Sequence, residues 1–399
     1  MTRTEWHLRV GSVVAAWLLA AAVTALVGLV VDVEPWLPVH LLLLGAVSNA
    51  ILVWSSYFAE AVLRLPDKAD RRAEAIRIAT FNVGALTVVA GMTASWWAVA
   101  VAGATVAAVA VAWHGVVLLG RMRRSLPSRF GATVRYYVAA SSLLPLGIAL
   151  GVALAHGDLD DELHARVALA HVALNVLGWI GLTVLGTVVT LWPTMLHTQV
   201  ADGAERAARR VLPVLASGVL VVAGGALAGS AAVAVLGLLG YVVGLVLTGR
   251  SLAQEALRRR PRGYATLSVA AAYLWLTGSV VALAVIVATA GSWSAAADRA
   301  DRLGAPLLVG FAAQLLLGAL TYLVPVVLGG GPAAARATGA VLDTAGRTRA
   351  VVVNAGLVVA LVPLPDGVRT AVPVAVLLAL ASFLPLALRA VVVRRIRVP

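Results

Sequence analysis

The feature that most constrains this chain is a succession of long apolar runs. Crossing the hydrocarbon core of a bilayer takes about 17–25 residues of α-helix. Twelve runs reach or approach that length, at 10–31, 38–62, 76–95, 97–120, 133–156, 164–193, 211–229, 231–249, 264–290, 304–328, 350–364 and 370–392. They are continuous rather than alternating, which excludes an outer-membrane barrel. Of the 399 residues, 61% are hydrophobic and 12% charged. Soluble domains carry about 45–50% and 25%, so a fold with one core and a wetted surface is excluded. The expectation is an all-α membrane protein, with 1–399 as a single polytopic domain. The first run is too long for a signal-peptide core, and Val30-Val31-Asp32-Val33-Glu34-Pro35 follows it with no small-residue cleavage site. It is expected to stay as a span.

The charges set the expected orientation. With both termini cytoplasmic and the spans alternating, only Arg166, Arg299, Arg302 and Arg369 of the 31 basic residues fall outside. The other 27 lie in cytoplasmic segments, the asymmetry that orients multi-pass proteins. Asp32, Glu34, Asp158, Asp160, Asp161, Glu162, Asp298, Asp301 and Asp366 fall outside. The net charge of +13 is therefore a topology signal and a contact for anionic lipid, not a nucleic-acid surface. This predicts a protein of the cell membrane with both termini in the cytoplasm.

An internal repeat is expected at every fourth span. The second reads His40-Leu-Leu-Leu-Leu-Gly45-Ala-Val, and the sixth reads His171-Val-Ala-Leu-Asn175-Val-Leu-Gly178-Trp179. The tenth reads Ala313-Gln314-Leu-Leu-Leu-Gly318-Ala-Leu. Aligned on Gly45, Gly178 and Gly318, the strings divide the chain into three blocks of four helices.

With no cysteine in the chain, disulfides, iron–sulfur clusters and thiolate metal sites are excluded. A metal would have to use histidine, carboxylate, methionine or backbone. Ionisable groups inside a bilayer are costly and are functional candidates. His40 opens the second span. His164, His171 and Asn175 fall on one face of the sixth, with His171 about 10 Å below His164 at 1.5 Å per residue. His40 and His171, at similar depth, are the candidate ligands for one haem or copper. Asn175 and Gln314 are candidate polar supports. His156 and His164 flank Asp158, Asp160, Asp161 and Glu162, so His156, His164, Asp160 and Glu162 form a candidate external metal site, with a solvated loop as the plainer reading. His7, His114 and His197 read as interfacial, and Glu60 and Arg64 as a structural i,i+4 pair.

Twelve spans, a four-helix period and histidines on the second and sixth spans resemble the haem–copper oxidase subunit I superfamily. That resemblance implies a twelve-helix bundle of three four-helix arcs. More closely, the string at 171–179 and its continuation Leu182–Pro193 resemble the NnrS-like membrane proteins. The 40–64 and 171–196 stretches are similar to actinobacterial membrane modules associated with copper oxidases or copper nitrite reductases. His40 then matches the helix 2 haem-ligand position, and His171 the first histidine of the helix 6 string. The departures are specific. The second histidine of that string is Ala173, and a later one is replaced around Thr190. The seventh span has no histidine, the tenth has Gln314, and the sixth has no His-x-x-x-Tyr pair. This excludes a standard oxygen-reducing terminal oxidase, and the chain is not expected to be catalytic alone.

The resemblance implies an electron-transfer or anchoring subunit for an extracytoplasmic copper enzyme, carrying one haem b or copper, or none. The alternatives are a cofactor-free membrane scaffold or assembly factor, and a small-molecule transporter. The partners expected are the lipid bilayer, a copper oxidase or copper nitrite reductase, and further copies of the chain.

Overall fold

A computed structural model describes residues 3–64, 71–126, 128, 130–362 and 366–397. No strand occurs among them, and eleven helices are long and apolar enough to cross a membrane. In chain order the helices are α1 (Arg3–Val27), α2 (Trp36–Leu63), α3 (Arg71–Thr93), α4 (Trp97–Arg124), α5 (Ala132–His156), α6 (Asp161–Leu196), α7 (Ala204–Leu227), α8 (Ala231–Arg258) and α9 (Tyr264–Thr289). After a short helix, Trp293–Ala300, come α10 (Pro306–Leu328), α11 (Gly331–Leu342), α12 (Gly346–Ala360), α13 (Asp366–Ala381) and α14 (Phe383–Arg397). The last two make up one span, Thr370–Arg394, interrupted at Ser382.

The expected span at 350–364 is the one run without a helix among these eleven. It folds as α12, which has 15 residues. At 1.5 Å per residue that is about 22 Å, short of the roughly 30 Å of a bilayer core. Residues 363–364 of that run lie outside the described residues. The beginning of α12 is tied down by the loop before it. The Tyr264 backbone N–H donates to Asp343 Oδ1 (2.6 Å), and the Arg349 guanidinium lies over the Tyr264 ring at 3.9 Å.

The chain divides into two compact units. One comprises Met1–Ala50, Arg260–Leu276 and Arg302–Pro399; the other comprises Ile51–Arg259 and Thr277–Asp301.

In the second unit, two helix hairpins share one design. In α3–α4, a Cβ on Gly84 would lie 2.5 Å from the Ala107 nitrogen, and one on Gly103 would lie 2.6 Å from the Val88 nitrogen. In α7–α8, a Cβ on Gly237 would lie 2.5 Å from the Val222 nitrogen, and Gly218 abuts the Gly237 carbonyl. Gly91 meets the Ala100 backbone as Gly225 meets that of Ala234. Gly84, Gly91 and Gly103 recur as Gly218, Gly225 and Gly237, each 134 positions later. The turns keep the same offset. The Trp96 N–H donates to Gly91 O (2.7 Å), and the Ser230 N–H donates to Gly225 O (2.8 Å). Just before them, Ser95 and Gly229 both take a left-handed backbone, with φ of 55° and 74°. Small residues let membrane helices approach to backbone contact, and these hairpins repeat that contact four spans apart.

A second repeated element is rarer. Each of α2, α6 and α10 contains a π-helical segment, at Leu41–Val47, Ala173–Gly181 and Pro306–Ala313. Each holds a glycine packed against the preceding span. Gly45 lies under the Trp17 ring, Gly178 against Leu143, and Gly310 under the Trp275 ring. The step from Gly178 to Gly310 equals the step from Leu143 to Trp275, at 132 residues. This corrects the register of the third string, because Gly310, not Gly318, is the counterpart of Gly45 and Gly178.

A π-helical turn displaces backbone carbonyls from their usual partners, and in a bilayer no water replaces them. Polar side chains do so here. Asn49 Nδ2 donates to Gly45 O (2.8 Å) and Ser48 Oγ to Leu43 O (2.8 Å). Tyr241 Oη donates to Leu177 O (3.0 Å), and Gln314 Nε2 to Gly310 O (3.1 Å). Tyr241→Phe deletes one such bond without changing shape, and is expected to cost about 1 kcal/mol. Thermal unfolding in detergent measures it, and an unchanged midpoint would remove the hydroxyl from this role.

Candidate functional site

In the second unit, His171 and Asn175 lie one turn apart on α6 and fit into a groove on α5 made by Gly147 and Gly151. A Cβ on Gly151 would lie 2.7 Å from His171 Cε1, and one on Gly147 would overlap the Asn175 amide. His171 Nδ1 is 2.8 Å from the Gly147 carbonyl. A carbonyl only accepts, so Nδ1 carries the proton and Nε2 is the basic nitrogen. The Asn175 amide nitrogen is 3.1 Å from both ring nitrogens, of which only Nε2 can accept. Asn175 Oδ1 is buried without a hydrogen-bond partner.

In the first unit, His40 is the last residue before the α2 π segment. Its Nδ1 donates to Trp36 O (2.8 Å), and its ring meets Trp36 edge-on at 5.7 Å. This imidazole too has its tautomer set by a backbone carbonyl.

Gln314 belongs to a closed polar network with two partners that the sequence reading did not single out. Asn354 Nδ2 donates to Gln314 Oε1 (2.9 Å), and Gln314 Nε2 donates to Asn354 Oδ1 (3.2 Å). Trp275 Nε1 donates to the same Oδ1 (2.7 Å). The signal was present, since Asn354 is the only polar side chain in the run 350–364.

Three of the four proposed external ligands have partners of their own. Asp160 caps α6 by accepting from the Leu163 N–H (2.9 Å). Glu162 caps the short helix at Trp293, accepting from the Trp293 N–H (2.9 Å), the Ser294 N–H (3.1 Å) and Ser294 Oγ (2.7 Å). His156 pairs with Asp158 at 3.0 Å in an exposed position, and His164 is exposed. Among the described residues no three His, Cys, Asp or Glu side chains group as a metal site.

One smaller expectation changes, and the remaining histidines are placed. Glu60 does not pair with Arg64, which leaves the helix with φ of 51°; its partners are Arg121 (3.3 Å) and Arg71 (3.9 Å). His114 is buried and shares a 2.8 Å hydrogen bond with Ser55. His7 is buried in α1. His197 is exposed at the end of α6, in left-handed conformation.

No protein-family model matches the chain, and no curated protein is significantly similar to it.

Proposed function

We propose that this chain is an integral subunit of the cell membrane, both termini cytoplasmic, built as a degenerate twelve-helix relative of haem–copper oxidase subunit I in which the short α12 makes the eleventh of the twelve crossings. In this reading it anchors, or passes electrons to, an extracytoplasmic copper oxidase or copper nitrite reductase. The four-span recurrence of glycine-packed hairpins and π segments supports the architecture, and the 27-to-4 distribution of basic residues supports the orientation.

The observation that carries the functional reading is the state of His40 and His171. Both stand at or just before a π segment, and both donate Nδ1–H to a backbone carbonyl at 2.8 Å. Metal-binding histidines use that arrangement to hold their tautomer and orient Nε2. By donor type and tautomer these residues fit ligation of haem b or copper through Nε2. The bound group would supply one-electron transfer. The protein would supply a dry setting and fixed imidazoles, which tune its potential.

A second reading is a cofactor-free scaffold or assembly factor. It is favoured by the Asn175 amide against Nε2 of His171, and by the Gln314–Asn354–Trp275 network, which closes on itself. An optical spectrum with metal analysis of the purified protein separates the two. The ligand reading expects a Soret band or stoichiometric copper that His40→Ala or His171→Ala removes. A folded wild type free of haem and copper that still captures a copper enzyme would leave the scaffold.

A further inference from the structure

The first unit carries a half-open cavity of about 530 Å³. Ala21 and Ala25 of α1, Val39 of α2, Leu308 of α10, and Leu380 and Phe383 at the α13–α14 junction form its walls. Among the described residues the only polar side chain in the lining is Thr24, and its hydroxyl is already donated to Ala20 O at 2.8 Å. His40 is not part of the lining, although Val39 and Leu42 beside it are. A space of this size is within the usual range of ligand sites.

The chemistry of the walls selects the ligand. A quinone needs donors for its carbonyls, haem needs an axial nitrogen and partners for its propionates, and a polar solute needs hydrogen bonds. No side chain of the walls offers any of these. An alkyl chain needs none of them. The lining helices α1, α2 and α10 are candidate spans, so the medium around them is hydrocarbon. We propose that this cavity is a lipid site holding one acyl chain of a bilayer phospholipid, with the headgroup outside it. The inference is independent of the functional reading above.

The test uses the full chain reconstituted in vesicles of phosphatidylcholine bearing a diazirine on one acyl chain. After photolysis, the label is expected on the segments 18–42, 304–317 and 377–384. Ala25→Trp and Ala381→Trp, which fill the cavity, should each lose most of that label. Leu236→Trp, at an exposed position on α8, should keep it. Label spread evenly over exposed apolar positions, or label that persists in both filled variants, would overturn the proposal. Recovery of a quinone or haem whose binding is lost in the filled variants would overturn it as well. If the filled variants fail to fold, the wild-type labelling map still decides.

Discussion

Gly225→Ala is expected to destabilise the protein by about 1–3 kcal/mol, whereas Gly224→Ala, one residue earlier, should be neutral or stabilising by up to about 1 kcal/mol. The two glycines share a helix, a depth and a neighbour, so helix propensity alone predicts the same gain for both. Contact separates them. A Cβ on Gly224 meets nothing within 4 Å, while one on Gly225 overlaps the backbone of Ala234. A backbone cannot rotate aside as a side chain can, so α7 and α8 would have to part. Gly91→Ala should behave like Gly225→Ala, because Gly91 meets the Ala100 backbone in the same way. Thermal unfolding of the purified variants in one detergent gives the comparison. Equal midpoints for the 224 and 225 variants would refute backbone contact as the basis of the hairpin.

Asn354→Leu should cost about 2 kcal/mol, at the upper end of what interhelical hydrogen bonds contribute in membranes. The average such bond is worth well under 1 kcal/mol, because the separated helices also find partners. Asn354 exceeds that average because its removal leaves the Trp275 N–H and both ends of the Gln314 amide short of a partner at once. The double variant Gln314→Leu/Asn354→Leu should cost less than the sum of the two single changes, since it removes amides together and leaves fewer orphans. Strict additivity in that cycle would show that the amides do not act as a unit.

Much of the architecture was legible from the chain alone. Apolar runs and sparse charge specify helices in a bilayer, because a backbone without water must satisfy itself. The four-span period was visible in the strings around His40 and His171. The hairpin glycines carried a plainer signal, a constant offset of 134 residues from Gly84 to Gly218, from Gly91 to Gly225 and from Gly103 to Gly237. The candidate site was less legible. His171 and Asn175 stood out as polar groups in an apolar run, but the Gly147–Gly151 groove that receives them lies on another helix.

The sequence by itself determined the helical class, the positions of eleven spans and the polar residues that a bilayer would single out. These follow from local chemistry, namely how long a segment stays apolar and how little charge it carries. Only the tertiary structure decided the rest. It set the π segments and the register that pairs Gly310 with Gly178, and it gave Glu60 to Arg121 rather than Arg64. It also showed that Asp160 and Glu162 cap helices. Each of these depends on which atom lies opposite across a helix contact, and a one-dimensional pattern does not record that.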